Sequence, residues 1–242
     1  MKSFIKISAL IIGMFTLASC EKALKALEDA GLSNEEVIQG LKSALNVGSD
    51  TSVTTLSKIN GYYKDEFVKI LLPEEAQPVY AVISRIPGGN ILLDNAVQSI
   101  NRAAEDAAPE AKVIFTDAIT NITIADGFNI LSGGDTAATV YLSNKTFNPL
   151  TDAFKPKINA SLSKPLLFNT SAEESYSKLL NAYNTASLGG ILWPEIKTNS
   201  LSEHVTQKAL NGLFFKVADQ ERKIRRNPLH QVNDILKKVF GK

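Results

Sequence analysis

The sequence predicts an all-α protein, a multi-helix bundle of short and medium helices. Three observations support this fold class. Apolar residues recur at every third or fourth position through most of the chain, as one face of a helix requires. Ser or Thr followed three residues later by an acidic residue opens several of these segments, which is a helix-capping pattern. Only residues 67–73 have the composition of a strand, and they lack an obvious pairing partner.

Composition and charge narrow the class of protein. The 242 residues, 44% of them hydrophobic, are enough for one large or two small cores. Lys and Arg number 26 against 25 acidic residues, so the chain is nearly neutral. A nucleic-acid-binding protein usually carries a strong positive field, and neutrality weighs against that function.

The first 19 residues predict an export signal. A basic start at Lys2 and Lys6 precedes an apolar run over residues 7–17 that is too short to span a bilayer. Leu-Ala-Ser-Cys at positions 17–20 then resembles the lipobox of bacterial lipoproteins, which are cleaved just before an acylated cysteine. The alternative is an ordinary signal peptide followed by a chance cysteine.

The lipobox resemblance implies that Cys20 becomes the mature N-terminus and binds the membrane through acyl chains, palmitate among them. Two or more chains anchor a protein stably. Because Cys20 is the sole cysteine, its acylation excludes disulfides and cysteine-based catalytic or metal sites. Glu21, in place of an aspartate, favours the periplasmic face of the outer membrane as the location.

The N-terminal part of the mature chain predicts short helices. A helical run over residues 21–30 ends at Gly31, and Ser33 with Glu36 forms a capping box for a helix that closes at Gly48. A further helix covers 51–60 and ends at Gly61. Residues 67–73 read as an extended crossing segment, followed by a helix over 74–85.

The central helix, from Asn90 to the break at Pro109, organises the predicted bundle. Its alanine-rich face would allow a neighbouring helix to approach closely. The predicted contact face comprises Leu92, Leu93, Ala96, Val97, Ile100, Ala103, Ala104, Ala107 and Ala108. The predicted polar face comprises Asp94, Asn95, Gln98, Asn101, Arg102, Glu105 and Asp106.

The remaining elements follow from caps and breakers. A helix extends to residue 121, Thr123 with Asp126 caps one to residue 132, and another covers 136–144. Three prolines weaken the pattern over 146–199, where only 172–185 is firmly helical. Residues 201–226 form a long helix after a Ser200 cap, and a short helix restarts at Asn227. No linker is visible, so residues 20–242 are predicted to be one domain.

Several segments carry a family resemblance over nearly the whole mature chain. They are Asn101–Glu105, Ala118–Asp126, Ile130–Gly134, Ala137–Tyr141, Val205–Phe214, Glu221, Ile224–Arg225, Asn227–Pro228 and Val239–Gly241. Together they resemble the bacterial family grouped as domain of unknown function 4197. The resemblance implies an exported, often lipidated, mostly helical protein without an established activity, so it carries over no catalytic residue. His204 departs from the tyrosine expected there.

The polar face of the central helix is the candidate ligand site. Arg102, Glu105 and Asp106 are at positions i, i+3 and i+4, and Asn101 lies one turn before Glu105. The simplest interpretation is a salt-bridged, solvent-exposed face. The alternative is that they line a groove, where an enzyme of an undescribed kind would use Arg102 and Glu105. A hydrolase that uses Glu105 and Asp126 as paired carboxylates is a further alternative, but Asp126 is already accounted for as a helix cap.

Glu221 is predicted to be structural. It projects towards the apolar side of the last long helix, where a carboxylate needs a partner, and Arg225 one turn on is the obvious one. The two histidines, His204 and His230, have no further ligands at metal spacing, so both are expected to be solvated and no metal or cofactor is expected. The sequence favours a lipid-anchored envelope protein that binds a partner protein or a small apolar ligand; a structural spacer is the third hypothesis.

Overall fold

The structure is a computed structural model that describes residues 33–76, 78, 80, 84, 87–165, 171–186, 188–192, 194–195, 200–227 and 230. The signal segment, Cys20, the predicted helix over 21–30, Trp193 and most of the chain after Asn227 lie outside these residues. The described residues are predominantly helical and contain no β-strand, which confirms the all-α fold class. Within them, no helix combines the length and apolar character needed to cross a membrane.

The described helices agree closely with several predicted bounds. They are α1 (Asn34–Leu56), α2 (Gly89–Ala107), α3 (Ala111–Thr120), α4 (Ile124–Ser132), α5 (Ala137–Leu162), α6 (Ala172–Ala186) and α7 (Leu201–Arg226). Short 3-10 turns cover Glu74–Ala76 and Ala108–Glu110. The capping boxes of α1 and α4 are formed as predicted, by Ser33 with Glu36 and by Thr123 with Asp126.

The predicted end of the first described helix at Gly48 is wrong. The two helices predicted on either side of Gly48 are one continuous helix, α1, which extends from Asn34 to Leu56. Glycine inside a helix costs about 1 kcal/mol relative to alanine, but the apolar stripe of α1 continues across it, since Leu45, Val53 and Leu56 are all buried. The burial of that stripe outweighs the poor helix propensity of one glycine.

The predicted end of a helix at residue 144, before a stretch weakened by prolines, is also wrong, because α5 continues through Pro149 and Pro156 to Leu162. The two prolines are seven residues apart and both are exposed, so each removes a backbone hydrogen bond on the solvent side of the helix. The opposite side carries a buried residue every four positions, which holds the helix together. This stripe is Leu142, Thr146, Leu150, Phe154, Ile158 and Leu162.

The chain forms two compact units. The first comprises Met1–Asp50, Phe115–Lys145 and Val217–Lys242, and the second comprises Thr51–Ile114 and Thr146–Lys216. The large buried side chains of the first unit include Leu41, Phe115, Ile119 and Leu142. Those of the second include Leu56, Tyr62, Ile70, Ile100, Leu150, Phe154, Ile158 and Leu162. The single domain expected over 20–242 stays a prediction.

The small-residue face of α2 is buried, as the helical pattern predicts. Ala103, Ala104 and Ala107 have no exposed surface, and α2 packs against α6 within the second unit. The predicted polar face is wrong in part, because Asn101 and Glu105 are buried as well. The buried sector of α2 is therefore wider than its apolar stripe, and buried polar groups need partners.

Candidate functional site

Glu105 is a buried carboxylate in the second unit that accepts hydrogen bonds from the chain's own backbone. Its side chain is 4% exposed. The N–H groups of Asn60, Tyr62 and Tyr63 donate to its two oxygens at 3.2, 3.1 and 3.3 Å. Arg102 pairs with the same carboxylate and also donates to Asn60 Oδ1 at 2.9 Å. The predicted Arg102–Glu105 contact is present, but it is part-buried and tied to a loop.

The turn around Gly61 makes this arrangement possible. Asn60 has a positive φ of 69°, a left-handed conformation that asparagine tolerates better than most residues. A Cβ on Gly61 would lie 2.4 Å from Thr55 O and 2.6 Å from Leu56 O, so only glycine fits. This backbone points several N–H groups at one place, an anion-binding nest that Glu105 occupies.

Asn101 holds the next part of the same loop. Ile70 N–H donates to Asn101 Oδ1 at 2.9 Å, and Asn101 Nδ2 donates to the carbonyl oxygens of Ile70 and Val97, both at 2.7 Å. Asn101 is completely buried. The Asn101 amide thus pairs with the Ile70 backbone as a neighbouring strand would, in the segment predicted to be extended. Both N–H donors of the amide are used, so none remains for a ligand.

Tyr62 joins the loop to α7. Its hydroxyl donates to Ala209 O at 2.8 Å, and the side chain is fully buried. Burial, together with the charge of Glu105, raises the pKa of Tyr62 far above its usual value, so the phenol stays protonated. A Cβ on Gly212 would lie 2.9 Å from Tyr62 Cε1, which explains a glycine in the middle of α7.

These contacts correct the interpretation of the polar face as solvent-exposed. We refer to Asn101, Arg102 and Glu105 with the loop that they bind, residues 60–70, as the loop clamp. A helical wheel records polarity, but it cannot show that an irregular segment nearby supplies backbone groups that need buried partners. The signals that could have revealed the clamp are the dipeptide Asn60-Gly61, a common turn sequence, and Gly212 inside a helix.

Glu221 binds the start of α5 in the first unit. The N–H groups of Ala138 and Thr139 donate to its oxygens at 3.0 and 2.8 Å, and the Thr139 hydroxyl donates at 2.8 Å. The predicted partner is present: Arg225 Nε donates to Glu221 Oε1 at 2.9 Å, and its guanidinium also donates to Ile130 O at 2.9 Å. A carboxylate at a helix N-terminus is favourable for the helix dipole.

Asp126 acts as the helix cap that the sequence predicts. It accepts hydrogen bonds from the Thr123 N–H and hydroxyl at 3.2 and 2.7 Å, and these lower its pKa. Tyr141 donates to it at 3.4 Å. Asp126 belongs to the first unit and Glu105 to the second. Asp126 binds Thr123 and Tyr141, whereas Glu105 binds Arg102 and the backbone of residues 60–63.

Two features were missed or misjudged from sequence. Glu173 accepts from the N–H groups of Leu201 and Ser202 at 3.2 and 3.1 Å, so it caps α7 from a distance of 28 residues in the chain, and no local pattern announces that. His204, expected to be solvated, is half-buried and its Nε2 contacts Leu71 O at 2.9 Å. Among the described residues, no three His, Cys, Asp or Glu side chains group as metal ligands.

One cavity lies in the first unit beside Glu221. It has a volume of about 20 Å³ and is lined by Leu41, Ala44, Leu45, Gly48, Ser49, Ala138, Val217, Glu221, Ile224 and Arg225. That volume holds about one water molecule. Sites for drug-sized ligands are more than tenfold larger, at roughly 300–1,000 Å³.

Comparison with known proteins identifies the family to which the chain is similar. The model of the DUF4197 family, described as a protein of unknown function, matches residues 31–241. No curated protein and no solved structure matches the chain.

Proposed function

Since the chain belongs to the DUF4197 family of proteins of unknown function, we propose a function from its own residues: a lipid-anchored protein of the cell envelope that binds a partner protein. The anchor would be acyl chains on Cys20, and the location would be the periplasmic face of the outer membrane. The sequence Leu-Ala-Ser-Cys at 17–20 and the following Glu21 support these two parts of the proposal.

The hydrogen bonds that Glu105 accepts are the observation that favours a binding function over catalysis. A catalytic carboxylate must reach a proton or a substrate atom, whereas the Glu105 oxygens receive three backbone N–H groups and Arg102. The alternative of an envelope enzyme that uses Arg102 and Glu105 would require this loop clamp to open. The binding hypothesis needs no such change.

A partner protein is favoured over a small apolar ligand. The cavity beside Glu221 has room for about one water molecule. Exposed aromatic surface, in contrast, is present in the second unit, where the rings of Phe67 and Phe215 stack with centroids 5.7 Å apart. Phe67 is 79% exposed and Phe215 is 38% exposed.

The surroundings of this aromatic pair resemble the rim of a protein interface. Lys216 lies over the Phe215 ring at 5.9 Å and pairs with Asp65, while Glu66 and Lys69 are exposed on either side of Phe67. Aromatic residues surrounded by charges of both signs are typical of binding hot spots with a polar rim. The partner that fits is an envelope protein with an apolar pocket and charged edges.

Site-specific crosslinking in intact cells tests the binding proposal. A photoactivatable phenylalanine analogue at position 67 should give one discrete protein adduct, and Phe215→Ala should reduce it. The same analogue at Val140, which is 55% exposed in the first unit, is the matched control and should give none. Absence of an adduct at position 67, or the same adducts at both positions, would contradict the proposal.

Acylation needs a separate test. Palmitate supplied to growing cells should label the wild-type protein, and Cys20→Ala should abolish both the label and the removal of the signal segment. A wild-type protein that matures without incorporating palmitate would overturn the lipid anchor. The crosslinking test of the binding proposal does not depend on that outcome.

A further inference from the structure

The chain leaves α6 through a loop of exposed apolar residues in the second unit. Residues 188–192 read Leu-Gly-Gly-Ile-Leu, and all five are exposed. Leu188 is 61% exposed, Ile191 81% and Leu192 59%. No charged residue occurs from position 179 to position 194. Single exposed apolar residues are common on proteins, but three in one short uncharged loop mark a binding surface.

The backbone of the loop is unusual as well. Leu188, Gly189 and Gly190 have positive φ values of 54°, 68° and 86°. Glycine adopts this region freely, but leucine rarely does. A Cβ on Gly189 would meet no atom within 4 Å, so the space beside the turn is open. Neither packing nor local conformation therefore accounts for a leucine at position 188, and such an outlier points to a function outside the fold.

We propose that residues 188–192 bind the headgroup region of the lipid bilayer. The proposal rests on the lipid anchor proposed above, because acyl chains on Cys20 would hold the loop permanently close to a membrane. Tethering turns a weak second contact into an intramolecular one with a high effective concentration. Three apolar side chains, too few to bind a membrane firmly by themselves, are then sufficient to orient the protein.

The charge pattern favours lipid over a protein partner for this loop. The Phe67–Phe215 pair is bordered by Asp65, which accepts a hydrogen bond from the Phe67 N–H, and by Lys216 over the Phe215 ring, as a protein interface would be. The loop instead belongs to a stretch of sequence without charged residues, positions 179–194, and the charged residue beside it is Glu195, whose Cγ would lie 3.8 Å from a Cβ on Gly190. A fluid lipid surface adapts to a convex loop, whereas a protein partner would need a matching groove and usually a polar rim.

The backbone limits how deeply the loop can enter. Irregular backbone in the hydrocarbon core would leave N–H and C=O groups without partners, so such a loop stays at the interface. The sequence places the sole tryptophan, Trp193, directly after Leu192. Tryptophan is enriched at membrane–water interfaces, and in this sequence it also provides a fluorescent reporter one residue after Leu192.

Tryptophan fluorescence of the acylated full-length mature protein in vesicles tests the proposal. The vesicles contain phosphatidylethanolamine and phosphatidylglycerol, with a fraction of lipid brominated either near the headgroup or near the end of the acyl chain. We expect Trp193 emission to shift to shorter wavelength, and we expect stronger quenching by the shallow bromine than by the deep one.

Variants assign the effect to the loop. Ile191→Ser with Leu192→Ser should remove most of the bromine quenching while the acyl chains keep the protein on the vesicles. Val113→Ser is the matched control, since Val113 is 75% exposed on α3 and distant in sequence, and its quenching should equal that of the wild type. Unchanged circular dichroism melts would show that the variants are folded.

The outcomes that overturn the proposal are distinct. Trp193 that is quenched by aqueous iodide and by neither bromolipid would place the loop in water. Trp193 shielded from iodide and from both bromolipids would indicate a protein contact instead. Quenching that the double variant leaves unchanged would also overturn it.

The mass of the N-terminal peptide from the same preparation shows whether Cys20 is acylated. Failure of the anchor is thereby distinguished from failure of the loop proposal. If the peptide carries no acyl chain, the free thiol of Cys20, the sole cysteine, is coupled to a maleimide lipid in the vesicles, which restores the tether. The loop proposal still predicts bromine quenching of Trp193 under that condition, and its absence would overturn the proposal.

Discussion

The side-chain amide of Asn101 pairs with both backbone polar groups of Ile70, at 2.9 Å to its N–H and 2.7 Å to its carbonyl oxygen. Both residues are buried. A buried backbone group that loses its partner costs about 1–3 kcal/mol. The loop between α1 and α2 therefore depends on one side chain that a helical wheel assigns to the surface.

Replacing this amide should be strongly destabilising. Asn101→Ala would leave the Ile70 N–H and carbonyl without their partner, and we expect a loss of roughly 2–5 kcal/mol in the free energy of unfolding. Urea denaturation measures it. Asn95→Ala on the exposed side of α2 is the control, with an expected change within about 0.5 kcal/mol. Equal effects of the two substitutions would contradict the role given to Asn101.

Arg225 and Arg226 form a natural pair of tests for burial. Arg225 is 13% exposed and binds the buried Glu221, so Arg225→Ala should cost about 3 kcal/mol and lower the melting temperature by several degrees. Arg226 pairs with Asp135 at a site where its own side chain is 68% exposed. Surface pairs contribute about 0–1 kcal/mol, so Arg226→Ala should scarcely move the melt. The reverse order would show that the Glu221 site is not structural.

Gly61 should be irreplaceable. Gly61→Ala places a methyl group 2.4 Å from Thr55 O and within 3 Å of Leu56 O, and backbone atoms cannot move away cheaply. We expect a loss of about 3 kcal/mol or more, comparable with the largest single substitutions. Gly134→Ala, where an added Cβ meets nothing within 4 Å, serves as the control in the same thermal melts. A stable Gly61→Ala protein would refute the tight turn.

The Asp126 cap predicts a dependence of stability on pH. Hydrogen bonds from Thr123 hold the folded-state pKa of Asp126 below its ordinary value of 3.8. A depressed pKa contributes stability that is fully present above the ordinary pKa and is lost as the pH falls through the folded-state pKa. The difference in unfolding free energy between wild type and Asp126→Asn should hence be constant near neutrality and shrink below about pH 4. A difference that grows on acidification would have the wrong sign.

Periodic features of the sequence predicted much of the fold. The bounds of α7 at Leu201 and Arg226 coincide with the prediction, because a Ser200 cap, a regular apolar stripe and a proline restart all agree. The errors occur where tertiary burial overrides local preference. Gly48 lies inside α1, and Pro149 and Pro156 lie inside α5, since a buried stripe continues past each of them.

The candidate site was harder to predict than the fold. The pairing of Glu221 with Arg225 follows from spacing on one helix, so it could be read from the sequence. The partners of Glu105 are backbone groups 42 to 45 residues away, and those of Glu173 are 28 and 29 residues away. No periodicity connects such positions, and only the folded chain shows that these carboxylates bind backbone.

The central claim is that the Glu105 carboxylate is bound by groups of the chain itself and is not free for a ligand. Hydrogen exchange of the Tyr62 and Tyr63 amides measures this directly, because amides that donate to a buried acceptor exchange slowly. We predict strong protection of both amides in the wild type and loss of that protection in Glu105→Ala, with α6 amides unaffected. Rapid exchange of Tyr62 and Tyr63 in the wild type would mean that Glu105 is free to meet a ligand, and it would contradict the account.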